Sequence, residues 1–430
     1  MKVAFVSQPW DTLSAPVVSG SIPIWTYQVA KRLRAECDVV IYARRSEGQR
    51  AQDVAEGIEF RRISVLGTKL CNAGCKAIAR ANRKFRYLSS RLYCLPYFVR
   101  ISADLKEQQC DVVHVHNFSQ AVPIIRALNP EIKIVLHLHC EWLTQFNREM
   151  IERRLHQCDL VIGCSDYITD NVRAAFPGFA ERCVRVYNGV DVAQFEGRGI
   201  GARLVADGPH PNPSPESGRG AICRNILFVG RISPEKGLHT LLAAFEKVAE
   251  HFQDVQLQIV GPNKPATAEF IADLSEDPKV QRLALLDPPN YLQRLKEQIS
   301  DELAERVSFV GQVSHLQLHS YFQRAAVLVN PSLSEAFGMS LVEAMASGVP
   351  VVATRVGGMV DVVQDGETGL LVEADDPVAL AAALEKLLLD EALGNAMGEK
   401  GRSRAESVFA WEVVAANLLG YYRQLLEGSV

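Results

Sequence analysis

Short apolar runs alternate with amphipathic helical stretches along the first 196 residues of the chain. The apolar runs are rich in valine and isoleucine and show little polar–apolar alternation, which is typical of parallel strands covered on both faces. This strand–helix alternation predicts a doubly wound α/β sheet. The predicted strands are residues 2–7, 38–43, 58–65, 111–116, 132–137, 159–164 and 183–187, and the clearest helices are 24–35, 118–128 and 150–157.

The pattern stops over residues 197–224, where glycine, proline and polar residues show no apolar periodicity, as in a linker or a disordered insertion. It resumes over residues 225–408. A last amphipathic stretch, 409–430, predicts a helix that packs back on the first domain. We therefore expect two α/β domains, 1–196 and 225–408, that face each other across a ligand-binding cleft. The predicted strands of the second domain are 225–230, 255–261, 307–311, 326–330, 349–353 and 369–372, and its helices are 238–250, 291–305, 316–324 and 378–389.

Residues 330–352 predict a strand, a loop, a short helix at about 341–347 and a second strand. Ser340 and Glu343 have the spacing of a capping box. The amides of residues 338–341 would then converge at a helix N-terminus beside a strand end, where open α/β sheets bind anions. The alternative is an ordinary strand–loop–helix unit in which Glu343 only caps the helix and Glu335 is a solvated loop residue.

The loop after the first strand of this domain, residues 230–237, carries two cations five positions apart. Arg231 and Lys236 together suit a diphosphate, because a guanidinium can bind phosphate oxygens in bidentate fashion. A solvated surface turn is the alternative.

Composition and charge narrow the class of protein. The 430 residues are 48% hydrophobic and 22% charged, with a net charge of −4, which predicts no global affinity for nucleic acid. The sequence contains no apolar run of 18 residues, and its N-terminus reads as a strand rather than a signal peptide. The ten cysteines form no C-x-x-C pair, and no cluster has metal-ligand spacing. We expect a cytoplasmic protein that needs no metal or other cofactor.

The motifs of the second domain resemble the retaining GT-B glycosyltransferases of family 4. The likeness rests on Gly-Arg-x4-Lys-Gly at 230–237, on Glu-Ala-Phe-Gly-x3-Val-Glu-Ala-Met-Ala-x-Gly-x-Pro-Val-Val-Ala at 335–353, and on Asn-Gly-Val-Asp at 188–191. It implies a GT-B fold of two Rossmann-like domains and a nucleoside-diphosphate-sugar donor held mainly by the second domain.

The resemblance also implies roles for the matching residues. Arg231 and Lys236 would bind the donor diphosphate, Glu343 the ribose, and Glu335 the sugar. The amides over 337–341 would serve sugar hydroxyls and phosphate. The candidates on this loop are Phe337, Gly338 and Met339 for the sugar, and Ser340 and Leu341 for the diphosphate.

In the first domain, Gly20 matches the first glycine of the family's glycine-rich loop, whereas Ser21 replaces the second. The loop would border the diphosphate and the acceptor. Histidines end two predicted strands, His114 and His116 on one, His137 and His139 on the next. A strand-end histidine is more often structural than catalytic, and the family match favours His137 as the sugar contact. Secondary candidates are His116, His139 and Asn188.

The implied reaction is transfer of a sugar, with retention, to an acceptor hydroxyl in glycan, polysaccharide or glycolipid synthesis. The leaving phosphate oxygen would take the acceptor proton. Two alternatives remain on the same scaffold: a nucleotide-sugar epimerase or hydrolase, and a non-catalytic nucleotide-sugar-binding partner.

Residues 60–103 contain no acidic residue and carry ten basic ones. This basic stretch, 61–100, predicts a surface for an anionic membrane or a lipid-linked acceptor, which would place the protein at the inner face of the membrane. A solvated basic face is the alternative, and nucleic acid is not expected. The basic residues are Arg61, Arg62, Lys69, Lys76, Arg80, Arg83, Lys84, Arg86, Arg91 and Arg100.

Overall fold

The computed structural model describes residues 1–17, 20–65, 67–81, 87–195, 224–265, 278–286 and 288–428. The chain divides into two compact units. The first unit comprises Met1–Gly189 and Trp411–Val430, and the second comprises Val190–Ala410. The boundary therefore differs from the predicted one, because residues 190–195 belong to the second unit. The predicted linker lies outside the described residues, except that Arg224 begins a strand.

The first unit is built on an eight-stranded sheet in the order β3-β4-β2-β1-β5-β6-β7-β8. Its strands are parallel, except that β3 runs antiparallel to β4. Strand β3 was not predicted, because three of its four residues are exposed and it lacks an apolar run. The strands are β1 Lys2–Val6, β2 Asp38–Arg44, β3 Gln52–Ala55, β4 Ile58–Ile63, β5 Val112–His116, β6 Lys133–Leu138, β7 Leu160–Gly163 and β8 Cys183–Arg185.

Helices connect most of these strands, as the strand–helix alternation predicts, whereas β2, β3 and β4 follow one another without a helix. The order of the strands reverses between β1 and β5, so their carboxyl ends flank the point where open α/β sheets bind ligands. The helices are α1 Ser21–Leu33, α2 Thr68–Ala81, α3 Leu95–Gln108, α4 Ala121–Leu128, α5 Trp142–Gln145, α6 Arg148–Leu155 and α7 Asp166–Ala175.

The second unit has a six-stranded, fully parallel sheet in the order β11-β10-β9-β12-β13-β14, and all six strands were predicted. Its strand order reverses between β9 and β12. The strands are β9 Arg224–Val229, β10 Val255–Val260, β11 Val307–Gly311, β12 Val327–Asn330, β13 Val351–Thr354 and β14 Gly369–Val372. The helices are α8 Leu238–His251, α9 Pro278–Arg282, α10 Tyr291–Glu297, α11 His315–Arg324, α12 Met339–Ala346, α13 Met359–Val362, α14 Pro377–Leu389 and α15 Glu391–Arg404.

The chain ends in helix α16, Trp411–Glu427, which belongs to the first unit and packs against α1. Trp411, Leu418 and Tyr422 lie in the same apolar core as Phe5 and Trp25.

None of the helices in the described part of the chain has both the length and the apolar character needed to cross a bilayer. The two units therefore confirm the predicted α/β fold class, each with its own core.

Candidate functional site

In the second unit, the loop after β9 presents Arg231 and Lys236 at the switch point of the sheet. Arg231 is about half exposed, and one of its terminal nitrogens donates to Glu235 Oε1 at 3.0 Å. Glu235 is buried and also accepts a hydrogen bond from the Ser233 hydroxyl. The buried acid therefore holds the arginine from one side and leaves much of the guanidinium accessible.

Lys236 and Glu335 form an ion pair, with Nζ and Oε2 separated by 2.6 Å. Both side chains are more than four-fifths buried. Burial by itself would raise the pKa of Glu335, but the charge and hydrogen bond of Lys236 and the backbone N–H of Phe337 hold the pKa below its usual value. Glu335 is therefore ionised at neutral pH, and the structure brings together two residues that lie 99 positions apart.

Helix α12 begins differently from the prediction. Its N-cap is Gly338, at a φ of +100°, and no side chain caps it. The capping box of Ser340 and Glu343 is therefore wrong, because both residues lie inside the helix. The Leu341 amide is also engaged, with the Gly338 carbonyl at 3.0 Å, so the amides of Met339 and Ser340 are those without an intrahelical acceptor.

The loop residues assigned to the sugar differ in what they can offer. The Phe337 ring is buried against Phe409, and its backbone N–H already serves Glu335. Gly338 is buried and sets the turn, whereas Met339 is half-buried at the helix N-terminus. Contacts to a ligand from this loop would therefore come mainly from backbone groups of residues 338–340.

Glu343 is 5% exposed, and its Oε1 lies 2.9 Å from Nε2 of His315, the first residue of α11. Burial lowers the pKa of His315, but the hydrogen bond and charge of Glu343, with the charge of Asp191, raise it above its usual value overall. Nothing in the sequence singles out His315, because a histidine at a helix start does not indicate a partner 28 residues away.

In the first unit, four histidines form a layer on one face of the sheet, which we call the histidine layer: His114, His116, His137 and His139. His116 lies opposite His137 in the parallel register of β5 and β6. The indole of Trp25 packs on the layer, with its ring centroid 4.7 Å from that of His137. Strand register thus brings together the side chains that end two neighbouring strands.

Hydrogen bonds assign the tautomers of half of this layer. The Thr26 hydroxyl donates to the carbonyl of Ile22 at 2.8 Å, so it must accept from Nε2 of His116 at 3.0 Å. Neutral His116 then accepts at Nδ1 from Nε2–H of His139, also at 3.0 Å. The donors therefore all point the same way: His139 donates to His116, His116 donates to Thr26, and Thr26 donates to the backbone of α1.

The other half runs from Tyr422 of α16 to His114 and then to His137. The hydroxyl of Tyr422 lies 2.7 Å from Nδ1 of His114, and Nε2 of His114 lies 3.0 Å from Nδ1 of His137. Nε2 of His137 has no hydrogen-bond partner among the described residues.

Burial keeps the histidine layer neutral. It lowers the pKa of His114, His116 and His137 well below the usual value and that of His139 to about 3. Neutral imidazoles can bind transition metals, and nitrogens of His114, His116 and His137 lie within 4.8 Å of one another. The ring nitrogens of these three histidines hydrogen-bond one another and neighbouring side chains. Nε2 of His137 is the exception among the described residues, because it has no hydrogen-bond partner.

Exposure separates the candidate histidines. His137 is fully buried, as are His114 and His116, whereas His139 follows the end of β6 and is half-buried. His139 is therefore the more accessible candidate for the sugar contact, and the assignment of His137 stays a prediction. Asn188 is 7% exposed, and its side-chain interaction with His139 partly offsets the lowering of the pKa of His139 by burial. Gly20, at a φ of +83°, is the N-cap of α1.

The basic stretch is partly internal. Arg61 is paired with Asp104 and Glu59, and Arg62 is 6% exposed and donates to the carbonyl of Leu13. These two arginines therefore support the fold rather than a surface, which corrects the prediction for them. Residues 83–86 lie outside the described residues.

Comparison with known proteins identifies the family of the chain. The protein-family model "Glycosyl transferases group 1" matches residues 223–404. A second family model, "Glycosyltransferase Family 4", matches residues 23–194. Spore coat protein SA of Bacillus subtilis is 26% identical over 333 residues, which cover 76% of this chain and 82% of that protein.

Two solved structures share the fold over the whole chain. Sucrose-phosphate synthase from Thermosynechococcus elongatus has a TM-score of 0.71 at 24% identity and covers 100% of both chains. HepE of Anabaena, solved in complex with UDP, has a TM-score of 0.69 at 18% identity and covers 99% of this chain and 100% of that one. With a family model matched to each α/β unit, the chain belongs to the group 1 glycosyltransferases of the GT-B fold.

Proposed function

We propose that this glycosyltransferase moves a hexose, with retention, from a nucleoside-diphosphate-sugar to a hydroxyl of a glycan or lipid-linked acceptor. The observation that carries the proposal is the buried Lys236–Glu335 ion pair, which joins the loops after β9 and β12. Arg231 lies in the first of these loops, and helix α12 begins directly after the second. Two cations and free helix amides suit a diphosphate, and an ionised acid suits sugar hydroxyls.

On donor binding, the diphosphate would share Lys236 with Glu335 and recruit the accessible side of Arg231. Met339 and Ser340 would add backbone N–H donors at the helix N-terminus. These groups would stabilise the charge that develops on the departing phosphate, which is the role a divalent ion plays in other transferases. We therefore expect the reaction to proceed without added metal.

Glu335 would not act as a general acid at neutral pH, because Lys236 keeps it ionised. Its carboxylate would orient the sugar hydroxyls and offset positive charge at the anomeric carbon. The leaving phosphate oxygen would accept the proton of the acceptor hydroxyl on the same face, which gives retention. We expect His139, which is hydrogen-bonded to His116, to contact the sugar, and we expect Gly20 to border the diphosphate.

The donor-binding test uses titration calorimetry with UDP, GDP and ADP and their glucose or mannose derivatives. We expect one base to bind, and we expect Arg231→Ala and Lys236→Ala each to weaken binding by about tenfold or more, because each removes a charged phosphate contact. Lys247→Ala removes an exposed cation of α8 and serves as the matched control.

Failure of every nucleotide to bind, or equal binding by Arg231→Ala, Lys236→Ala and Lys247→Ala, would contradict the proposal. With the binding donor and a panel of acceptors, proton NMR of the product reads the anomeric configuration. Mass spectrometry distinguishes transfer from hydrolysis or epimerisation. Turnover that disappears with EDTA and returns with a divalent ion would contradict metal independence.

Helix α2 supports a proposal about the acceptor side. Leu70 is 81% exposed and Ile78 is 46% exposed, and Lys69 and Lys76 are exposed on the neighbouring part of the same helix. Exposed aliphatic side chains beside lysines suit an anionic bilayer. We expect a peripheral association at the inner face of the membrane, where a lipid-linked acceptor would be presented.

Sedimentation with vesicles tests this contact. The protein should bind vesicles that contain phosphatidylglycerol more strongly than pure phosphatidylcholine vesicles, and Leu70→Glu should reduce that binding. Val54→Glu replaces another exposed aliphatic side chain, in β3, and is the control. Equal sedimentation of the Leu70→Glu variant and the unmodified protein would exclude α2 as the contact.

A further inference from the structure

His315 fixes one oxygen of the acid that we assign to the ribose. Its Nε2 lies 2.9 Å from Oε1 of Glu343, and the histidine side chain is 20% exposed and the glutamate side chain 7% exposed. Within the described part of the chain, the Glu343 carboxylate has this hydrogen bond alone. One oxygen is therefore held, and Oε2 is left for a ligand.

The histidine is itself held from two sides. Ser314 and Gln317 form a capping box at the start of α11, with the Gln317 side chain accepting from the Ser314 N–H at 3.1 Å. Gln194 donates to the His315 carbonyl at 3.3 Å, and the ring of Phe195 lies edge-on to the imidazole with centroids 6.0 Å apart. The position of His315 is thus set by its own helix and by the segment that opens the second unit.

A carboxylate free to rotate about its last bond would present either oxygen in many directions. A charge-assisted hydrogen bond to one oxygen restricts that rotation and aims the remaining lone pairs. A site built to bond a substrate hydroxyl discriminates strongly against the analogue that lacks it, because its own polar group is then left unpaired.

We propose that His315 is the positioning residue that directs Oε2 of Glu343 at the ribose hydroxyls, and that this pair makes the enzyme select ribonucleotide over deoxyribonucleotide donors. The inference rests on the proposed donor site and adds a residue and a selectivity to it. His315 acts through Glu343, and we assign it no contact with the reacting atoms.

The test compares the dissociation constants of UDP, GDP and ADP with those of their 2′-deoxy and 3′-deoxy forms, measured by calorimetry on the full chain. The unmodified protein should bind the ribonucleotide about tenfold or more tightly than its deoxy forms, because a deoxy form lacks one hydrogen bond to a charged group. His315→Ala should reduce that ratio to nearly one, mainly by weakening ribonucleotide binding.

His315→Gln retains an N–H donor and should keep part of the ratio, which also covers the case in which the alanine variant does not fold. The matched control is His251→Gln. It makes the same substitution in another histidine–glutamate pair of the same unit, between the exposed His251 and Glu385 at 2.8 Å, and should leave the ratio unchanged.

The outcomes separate the two proposals. Ribonucleotide preference that survives His315→Ala, or that His251→Gln also abolishes, would overturn the role of His315 while the donor site stands. Binding without any ribose preference in the unmodified protein would overturn the selectivity of the pair. Absence of all nucleotide binding would overturn the proposed function itself.

Discussion

Gly237 lies between Lys236 and the first residue of α8, in a backbone conformation that side chains disfavour. Its φ is +67°, and a Cβ built on it would lie 2.0 Å from the carbonyl oxygen of Pro331. The close approach connects the loop after β9 to the loop after β12. A glycine at this position therefore allows the two candidate donor-binding loops to touch.

Replacing Gly237 tests that contact. We expect Gly237→Ala to lower the free energy of unfolding by roughly 2–5 kcal/mol, which combines left-handed backbone strain with overlap at Pro331. Urea denaturation followed by circular dichroism measures the change.

Gly348→Ala is the matched control, because its φ is +68° but an added Cβ meets no atom of the described residues within 4 Å. It should cost only the strain, roughly 1–2 kcal/mol. Equal losses for the two variants would show that the approach to Pro331 is unimportant.

At the scale of elements, β5 and β6 place four neutral histidines side by side. His114 and His116 lie two positions apart on one face of β5, His137 belongs to β6, and His139 follows directly after β6. The parallel register aligns His116 with His137. The sequence located these histidines at strand ends. It did not show that they bond to one another, to Thr26 of α1 or to Tyr422 of α16.

The histidine layer should make the stability of the first unit depend on pH. Its folded pKa values lie below about 6.5, the value of an unfolded histidine, so the unfolded chain binds more protons at lower pH. Stability is complete above about pH 6.5 and falls below it, by about 1.4 kcal/mol per pH unit for each histidine.

Urea unfolding between pH 7.5 and 5.5 measures this fall. His114→Gln should lose less stability on acidification than the unmodified protein, by about 1 kcal/mol. Burial raises the pKa of Asp11 to about 6, so protonation of Asp11 adds stability as the pH falls below 6. This contribution is the same in both proteins and does not affect the difference between them. Parallel curves for the two proteins would contradict the prediction, and His251→Gln should follow the unmodified protein.

At the scale of the whole molecule, the first unit is discontinuous in sequence. Helix α16 follows the entire second unit, yet it contributes Trp411, Leu418 and Tyr422 to the first core. Gly189, the last residue before the second unit, has the ring of Trp411 2.3 Å from where a Cβ would lie. The first unit therefore cannot complete its core until the last residues of the chain are present.

The sequence by itself determined the two α/β units, every strand of the second sheet and the motifs that place Arg231, Lys236 and Glu335 at strand ends. These features are local, because apolar runs and loop residues signal strands and their ends. Only the tertiary structure decided which residues are partners. Lys236 pairs with Glu335, and Glu343 is hydrogen-bonded to His315 instead of capping its own helix. His137 is fully buried, whereas His139 is only half-buried. Such contacts join residues far apart in the chain, and only packing and strand register determine which of them meet.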